Sequence, residues 1–565
     1  MAFEIPFDTR QLLIGGVWRA CASGATLMLD NPSDGSPLAA IARGTAADID
    51  AAVAAAEAAL AGEWGRCTAA ERGRLLCAIG RKVLEQADLL AHLEALDVGK
   101  PLKQGRADAV ALARYLEFYG GAADKVHGET LPFQAGFTAL TLREPHGVTG
   151  HIVPWNYPMQ IVGRSCGAAL AMGNACVLKP AEEACLTVLA FARIAAECGL
   201  PAGALNVVPG LGEEAGAALS AHAGIRHISF TGSGATGTLV QRAAATNAVP
   251  VTLELGGKSP QIVFADADLD AALPSLVNAG IQNAGQTCSA ASRILVERAV
   301  FDAVRDRMAE RYRLLRVGPA MKDLDIGPVQ VLIAVEGEGE ALRIANGTAF
   351  GLVAGVWTRD GGRQMRMAHA LKCGQVFIDN YGAGGGVELP FGGVKLSGHG
   401  REKGFEARYG DCSAPADQFH TIKLYAADRE CIEPGTSPIR PPPFDQGGSC
   451  DAGPALAPRH ATPRHATPRH ATPRRAAPRR AAPSASVTAA MTKGSTCSRV
   501  CRAATRSACL RCRPPNGHRS TGRCQPGPHA RARRGRVRCP GSPRSARARG
   551  RHRSAIARGL RSGCR

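Results

Sequence analysis

Hydrophobic and polar residues follow two patterns that alternate along the first half of the chain. Residues 46–61 and 69–96 are rich in Ala and Leu and carry charges at helical spacing, which predicts amphipathic helices. Short apolar runs that end in Pro or Gly follow, and each run predicts a buried strand. These runs are GVTGHIVPW, ACVLKP, ALNVVPG, IRHISFTG and PVTLELGG, and helical stretches such as residues 186–198 separate them. The alternation predicts an α/β fold with a doubly wound parallel sheet.

Four polar residues fall where these predicted strands end. They are Asn156, Lys179, Ser233 and Glu254. Ligands of doubly wound sheets bind beyond the carboxyl ends of the strands. The pattern therefore places these four residues where a ligand site is expected.

A glycine-rich turn follows the fourth predicted strand. Gly232, Ser233 and Gly237 belong to a G-x-G-x-x-G sequence that precedes a predicted helix. The backbone amides at such a helix start suit a pyrophosphate. In a standard dinucleotide fingerprint, Glu254 would be the ribose ligand because it lies about 20 residues further on. A plain strand-to-helix turn gives the same pattern, so this motif alone is a weak signal.

The formal net charge of +20 divides unevenly along the chain. Residues 452–565 contain 27 Arg, one Lys and no acidic residue. The preceding 451 residues therefore hold 40 of the 68 basic side chains and all 48 acidic ones, a net charge of −8. That balance is ordinary for an enzyme and does not indicate a nucleic-acid-binding body.

The segment 425–565 is predicted to be a disordered Arg/Pro/Ala-rich tail. No aromatic residue follows Phe444, and PRHAT occurs three times and PRRAA twice from Pro458 onwards. Such a composition buries too little apolar surface to offset the entropy of ordering. The arginines would allow non-specific nucleic-acid or other polyanion binding, which we consider an unfavoured alternative. The other interpretation is an out-of-frame translation of GC-rich DNA.

Cysteine usage and hydropathy indicate a cytoplasmic protein. The cysteines are irregularly spaced, which fits reduced thiols better than a disulfide framework. None of them has the paired spacing of a zinc site, so no metal is predicted. No apolar run approaches the ~20 residues that span a membrane, and the N-terminus has no signal-peptide pattern.

Cys288 is the candidate nucleophile. It lies between Thr287 and Ser289, small polar neighbours that leave room for a carbonyl group. A thiolate readily forms a tetrahedral adduct with an aldehyde, and such an adduct must precede hydride transfer. A lone cysteine is more often a small buried hydrophobe, so the surrounding motifs have to support this assignment.

Five motifs in one order supply that support. They are PWNYPM (154–159), KPAEE (179–183), FTGSGATG (230–237), LELGGKSP (253–260) and GQTCSA (285–290). In this order the chain resembles the aldehyde dehydrogenase family, hydrolytic branch, over residues 15–424. The resemblance implies NAD-dependent oxidation of an aldehyde to a carboxylic acid through a cysteine thiohemiacetal and thioester.

The resemblance also implies a role for each matching residue. Cys288 would be the nucleophile, Glu254 the base that activates water, and the Asn156 amide with the Cys288 backbone amide the oxyanion donors. Lys179 and Glu182 would hold the adenosine ribose. A carboxylate there would repel a 2′-phosphate, which favours NAD over NADP. The full cofactor set implied is Trp155, Lys179, Glu182, Gly232, Ser233, Gly237, Leu255 and Gly256.

The domain organisation follows from the same resemblance. Residues 1–125 and 146–256 would form the NAD-binding domain and residues 257–406 an α/β catalytic domain. Segments 126–145 and 407–424 would form a small oligomerisation sheet. A homo-oligomer, a dimer or a tetramer, is therefore expected.

One block of the family pattern is missing from this chain. After Asp325-Ile-Gly-Pro-Val329 the sequence passes directly to Gln330-Val-Leu332, where the family has several dozen residues that include an E-x-F-G-P motif. The Glu of that motif holds the nicotinamide ribose and the Phe packs on the ring. We call the point near 329/330 the join. The absence of this block predicts exposed apolar faces and impaired turnover. A catalytically inactive member of the family is therefore the alternative.

Overall fold

The computed structural model of the chain describes residues 3–324, 329–382, 386–405 and 407. Residues 325–328, directly before the join, lie outside the described residues. So do the predicted tail and, except for Ala407, the predicted oligomerisation segment 407–424.

Helices and strands alternate along most of the described chain. The helices are α1 (Ala46–Ala61), α2 (Glu63–Arg66), α3 (Ala69–Glu85), α4 (Ala87–Asp97), α5 (Leu102–Ala122), α6 (Pro158–Ala171), α7 (Leu186–Glu197), α8 (Ala217–Ala221), α9 (Gly234–Ala245), α10 (Leu269–Ile281), α11 (Phe301–Arg313), α12 (Glu338–Asn346) and α13 (Gly361–Ala370). The strands are β1 (Leu12–Ile14), β2 (Val17–Arg19), β3 (Thr26–Asp30), β4 (Pro37–Ala42), β5 (Glu129–Leu131), β6 (Ala139–Thr141), β7 (Val148–Ile152), β8 (Ala175–Lys179), β9 (Leu205–Val207), β10 (His227–Gly232), β11 (Val251–Leu255), β12 (Pro260–Val263), β13 (Arg293–Glu297), β14 (Val331–Val335), β15 (Phe350–Gly351), β16 (Val353–Trp357), β17 (Gln375–Ile378), β18 (Val394–Lys395) and β19 (Gly398–His399).

The larger sheet confirms the predicted doubly wound topology. Its strand order is β2-β1-β9-β8-β7-β10-β11-β19, and the five strands from β9 to β11 are parallel. The chain first builds β7, β8 and β9 outward in one direction and then adds β10 and β11 on the other side of β7. The order therefore reverses between β7 and β10, the place where such sheets bind ligands.

The five predicted strands are continuous apolar runs because both faces of this sheet are covered. All five residues of β7 and all five of β8 are buried. The antiparallel strands β1, β2 and β19 extend the sheet at its two ends. The sequence did not predict these three strands, because a run of two or three residues is too short to show an alternation of apolar and polar positions.

The helix predicted over residues 69–96 is two helices. Gln86 separates α3 from α4, and its φ of −104° and ψ of 16° are not helical. α3 begins with a capping box between Thr68 and Glu71. The break lets each helix turn its own apolar face to the core, with Leu76 and Ile79 from α3 and Leu90 and Leu93 from α4.

A second parallel sheet lies within residues 257–406, the segment predicted to form the catalytic domain. Its order is β14-β13-β12-β16-β17, so it is also doubly wound. β14 begins directly after the join and forms one edge. Gln330 anchors it, because its side chain donates to Leu276 O at 3.0 Å and Ala291 O at 2.7 Å.

Apolar side chains near the join are exposed, as the loss of a covering block predicts. Leu314 is 78% exposed, Val317 70%, Val329 85% and Val331 54%. Exposure of several large apolar groups on and beside an edge strand favours aggregation.

A small two-stranded sheet lies where the oligomerisation segment is predicted. β5 and β6 pair antiparallel, and Phe133 and Phe137 in their connection are exposed and touch each other edge to face. None of the helices in the described part of the chain is both long and apolar enough to cross a membrane.

Candidate active site

A cavity of about 340 Å³ opens at the point where the strand order of the larger sheet reverses. It is lined by the segments after β7, β10 and β11, by the loop that carries Cys288, and by Phe391. The predicted site residues that it brings together are Trp155, Asn156, Gly232, Ser233, Glu254, Gly256 and Cys288. Lys179, Glu182, Gly237 and Leu255 lie outside its lining.

Cys288 lies in an irregular loop that two left-handed residues shape. Asn283 and Ala284 have φ values of 48° and 57°. The loop packs tightly on the end of β11, since a Cβ at Gly257 would lie 2.8 Å from the Cys288 carbonyl oxygen. The Cys288 side chain is partly buried and packs against a cluster formed by Leu352, Val353 and Phe391. Burial raises the pKa of the Cys288 thiol, while the Arg164 charge acts in the opposite direction.

Asn156 is held to the same loop by its side-chain amide. Its Nδ2 donates to Gln286 O at 2.7 Å, and Asn283 Nδ2 donates to the Asn156 backbone oxygen at 3.0 Å. Asn283 is 4% exposed and was not predicted. Its position in a short polar stretch before Cys288 gives no signal, because only the fold brings it to Asn156.

Glu254 is a buried carboxyl group without a hydrogen-bond partner in the described part of the chain. It is 2% exposed, and neither carboxyl oxygen has a protein donor. Burial raises the pKa of Glu254 well above its ordinary value, and Arg164 only partly offsets the effect. The side chain rests against Gly392, where a Cβ would lie 2.8 Å from Oε1. The segment 390–393 (PFGG), which contains Gly392, therefore leaves the space that this carboxyl group occupies.

A buried ion pair that the sequence did not reveal lies beside these residues. Arg164 from α6 lines the cavity and pairs with Glu402, which also accepts a hydrogen bond from Ser229 at 2.7 Å. Burial disfavours the charged guanidinium, but Glu402 and Glu254 outweigh burial and raise the pKa of Arg164. Arg164 thus supplies a permanent positive charge that interacts with both Glu254 and Cys288.

The residues predicted to bind the adenosine half of the cofactor form a second cluster at the strand ends. Lys179 Nζ lies 2.6 Å from Glu182 Oε2, and the Gly212 amide donates to Glu182 Oε1 at 3.3 Å. Burial opposes ionisation of Glu182, but Lys179 outweighs it and lowers the pKa of that carboxyl. The carboxylate is therefore charged at neutral pH, as repulsion of a 2′-phosphate requires.

The glycine-rich turn provides the start of a helix at the cavity. Ser233 is the N-cap of α9 and accepts from the Thr236 amide at 3.1 Å. A Cβ at Gly237 would lie 2.7 Å from Leu255 Cδ2, so this glycine lets α9 pack closely on β11. The backbone amides at the start of α9 suit a pyrophosphate. Together, this turn and the Lys179–Glu182 pair fit the adenosine diphosphate half of a dinucleotide.

Comparisons with known proteins agree with this geometry. The family model described as the aldehyde dehydrogenase family matches residues 18–330 and 325–410, two stretches that meet at the join. An aldehyde dehydrogenase from Aspergillus niger is 37% identical over 456 residues, which cover 70% of this chain and 91% of that protein. A crystal structure of an aldehyde dehydrogenase from Burkholderia cenocepacia is 56% identical, with a TM-score of 0.72, and covers 74% of this chain and 99% of that one. PnpE, known from Pseudomonas sp. WBC-3 and solved in complex with nicotinamide adenine dinucleotide, is 33% identical with a TM-score of 0.71, covering 76% of this chain and 99% of that one.

The chain therefore belongs to the aldehyde dehydrogenase family. It is an oxidoreductase that oxidises an aldehyde with NAD as its cofactor. The alignment with the fungal relative is 456 positions long, yet it spans only 70% of the 565 residues of this chain, which is fewer than 456. The fungal relative therefore has residues with no counterpart in this chain. This excess agrees with the missing block.

Proposed function

We propose that Cys288, Asn156 and Glu254 carry out the aldehyde oxidation. The observation that supports this assignment best is that one cavity combines a thiol, a side-chain amide and a buried unpaired carboxyl group. In the first step the Cys288 thiolate forms a bond to the aldehyde carbon and the carbonyl π electrons move to oxygen. The Arg164 guanidinium favours the thiolate over the thiol.

The amide of Asn156 stabilises the oxyanion of this thiohemiacetal. It must first exchange its present partner, the Gln286 carbonyl, for the substrate oxygen. One preorganised donor of this kind contributes about 3 kcal/mol to comparable transition states. NAD supplies the hydride acceptor when it is bound, and the carbon that has lost the hydride remains on Cys288 as a thioester.

Glu254 completes the cycle as the general base. Its carboxylate takes a proton from water, the oxygen attacks the thioester carbon, and the Cys288 thiolate leaves as the carboxylic acid is released. A raised pKa suits this role because a base is most effective when its pKa lies near the working pH.

For the cofactor we propose that Lys179 and Glu182 hold the adenosine ribose and that the Gly232–Gly237 turn, with Ser233, binds the pyrophosphate. Trp155 and Gly256 line the cavity, and Leu255 with Gly237 sets the position of α9. The nicotinamide half lacks the Glu and Phe of the missing motif. We therefore expect weakened positioning of the nicotinamide, with turnover reduced more than thiol reactivity.

The test is NADH formation, followed at 340 nm with the purified chain, NAD and a panel of aldehydes. Cys288→Ala should abolish the signal, whereas Cys185→Ala, which alters another buried thiol outside the cavity, should not. Hydrolysis of an activated ester needs Cys288 and Asn156 but no hydride transfer, so it should survive even where NADH formation is weak. Equal activity in Cys288→Ala and the parent chain would disprove the assignment.

We also propose a cytoplasmic homo-oligomer, either a dimer or a tetramer. The nine cysteines that the structure describes form no disulfide, which suits a reducing compartment. The exposed Phe133 and Phe137 offer apolar area for a subunit contact. Sedimentation of the purified chain, compared with Phe133→Ser, tests the contact, and a monomeric parent chain would contradict it.

A further inference from the structure

Three side chains that the proposed mechanism does not use meet inside the larger sheet layer. They are His151 of β7, Cys166 of α6 and Cys176 of β8, and all three are fully buried. One ring nitrogen and the two sulfur atoms lie within 4.8 Å of one another. None of these residues lines the active-site cavity.

The sheet register explains why they meet. Thr149 and His151 are two residues apart and therefore point to the same face of β7. Cys176 lies opposite Thr149 in the β7–β8 pair. α6 covers this face and contributes Cys166. Because the three residues come from three elements with no ligand spacing between them, sequence inspection could not find the group.

The surroundings of His151 hold its ring in one orientation. Thr149 Oγ1 lies 2.9 Å from His151 Nε2 and 3.7 Å from the Cys176 sulfur. His151 Nδ1 is buried and has no hydrogen-bond partner in the described chain. Thr149 thus lies beside both a ring nitrogen and a sulfur atom of the group, and a ligating histidine is usually oriented by a polar neighbour of this kind.

We propose that His151, Cys166 and Cys176 form a buried three-ligand binding site for a thiophilic d10 cation, with Zn²⁺ as the ion of matching charge. Two thiolates and a neutral imidazole balance its double positive charge, which a fully buried site requires. No carboxylate is among the three ligands, so the site disfavours Mg²⁺ and Ca²⁺. Binding displaces the two thiol protons into solvent.

The bound ion would connect α6 to two central strands of the sheet. α6 begins two residues after Asn156, and β7 ends four residues before it. The proposed ion therefore stabilises the framework that carries the oxyanion donor without touching the substrate. Binding to the folded state alone raises the unfolding temperature.

The experiment uses Co²⁺ as a spectroscopic probe for Zn²⁺. It is added to reduced, metal-free full-length chain carrying Cys288→Ala, so that the catalytic thiol does not contribute. We expect Cys176→Ser to lose one equivalent of the Co²⁺–thiolate charge-transfer absorption, and Cys185→Ser, a matched change at another buried cysteine, to lose none. Zn²⁺ should displace the probe and raise the unfolding temperature of the parent chain but not of Cys176→Ser.

Cys166→Ala provides a second variant on a different element, should Cys176→Ser fail to fold. Cysteines elsewhere in the chain contribute equally to every variant, so only the difference between variants is interpreted. An unchanged stoichiometry in folded Cys176→Ser or Cys166→Ala would overturn the proposal. Recovery of Cys166 and Cys176 as a disulfide from freshly purified chain would do the same.

Discussion

Glu254 is buried and has no hydrogen-bond donor among the described residues. Its environment suits a general base but destabilises the fold when the carboxyl group is charged. A charged carboxylate in this position lacks the stabilisation that water gives it in the unfolded chain. Its folded pKa lies above its unfolded pKa. The stability contribution of this group is therefore complete below the unfolded pKa and is lost as the pH rises through the folded pKa.

The first prediction concerns Glu254→Gln. At pH 8 this variant should resist urea better than the parent chain by about 1 kcal/mol or more, because a buried charge without partners is removed. The gain should shrink in mild acid, where Glu254 of the parent chain is already neutral. Turnover should be lost while the first equivalent of NADH still forms, because deacylation is the step that needs the base. A gain in stability that is independent of pH would contradict the raised pKa.

The second prediction concerns Asn156→Ala. Loss of the oxyanion donor should lower kcat/KM for ester hydrolysis by about 10²- to 10³-fold. Alkylation of Cys288 by iodoacetamide has no oxyanion, so its rate should change little. Asn283→Ala is the matched control, since Asn283 donates to the backbone oxygens of Asn156 and Gln286 but does not line the cavity, and its effect should be smaller. Equal losses in both variants would show that Asn156 acts by positioning alone.

At the level of the element, the buried strands were predictable because they are continuous apolar runs that end in Pro or Gly. The break between α3 and α4 was not, because Gln86 is an ordinary helix residue and the apolar pattern continues across it. In the candidate site, local motifs predicted Cys288, Asn156 and Glu254, and all three line one cavity. Asn283 and the Arg164–Glu402 pair were missed because their partners are distant in sequence, and only packing of α6 against the sheet brings the pair to the cavity.

The contact between α4, α5 and the segment after Asn156 depends on one buried lysine. Lys100 is fully buried and pairs with Glu94 at 2.9 Å and with Asp108. Its Nζ lies 3.8 Å from the centre of the Tyr157 ring, which lines the cavity. Removing one partner of such a network leaves the other charges buried and unpaired.

The third prediction follows from this network. Lys100→Met should lower the free energy of unfolding by about 3–5 kcal/mol at neutral pH, because Glu94 and Asp108 lose their counter-ion. Lys82→Met, which breaks an exposed pair with Glu85, should cost about 1 kcal/mol or less. Urea denaturation followed by circular dichroism measures both. A similar cost in the two variants would mean that the buried network contributes no more than a surface pair.

At the level of the whole molecule, the join is the feature that separates this chain from its relatives. The two stretches that match the family overlap at residues 325–330, and the second sheet continues directly into β14 beyond them. The side chains that we propose to be catalytic still share one cavity, so we expect the thiol chemistry to depend little on the missing block. We expect the nicotinamide site and the cover of the apolar residues beside β14 to depend on it directly.

The last prediction restores that block. Inserting the corresponding segment of the Burkholderia cenocepacia relative between Val329 and Gln330 should raise NADH formation by at least about tenfold, equivalent to about 1.4 kcal/mol of barrier. It should change ester hydrolysis by Cys288 much less, because that reaction makes no use of the nicotinamide. It should also raise the unfolding temperature, since Val329 and Val331 would be covered. A Gly/Ser insert of equal length is the control, and it should improve neither property. If the native segment raised both reactions equally, its role would be to stabilise the fold, whereas a selective gain in NADH formation would locate the deficit in the nicotinamide site.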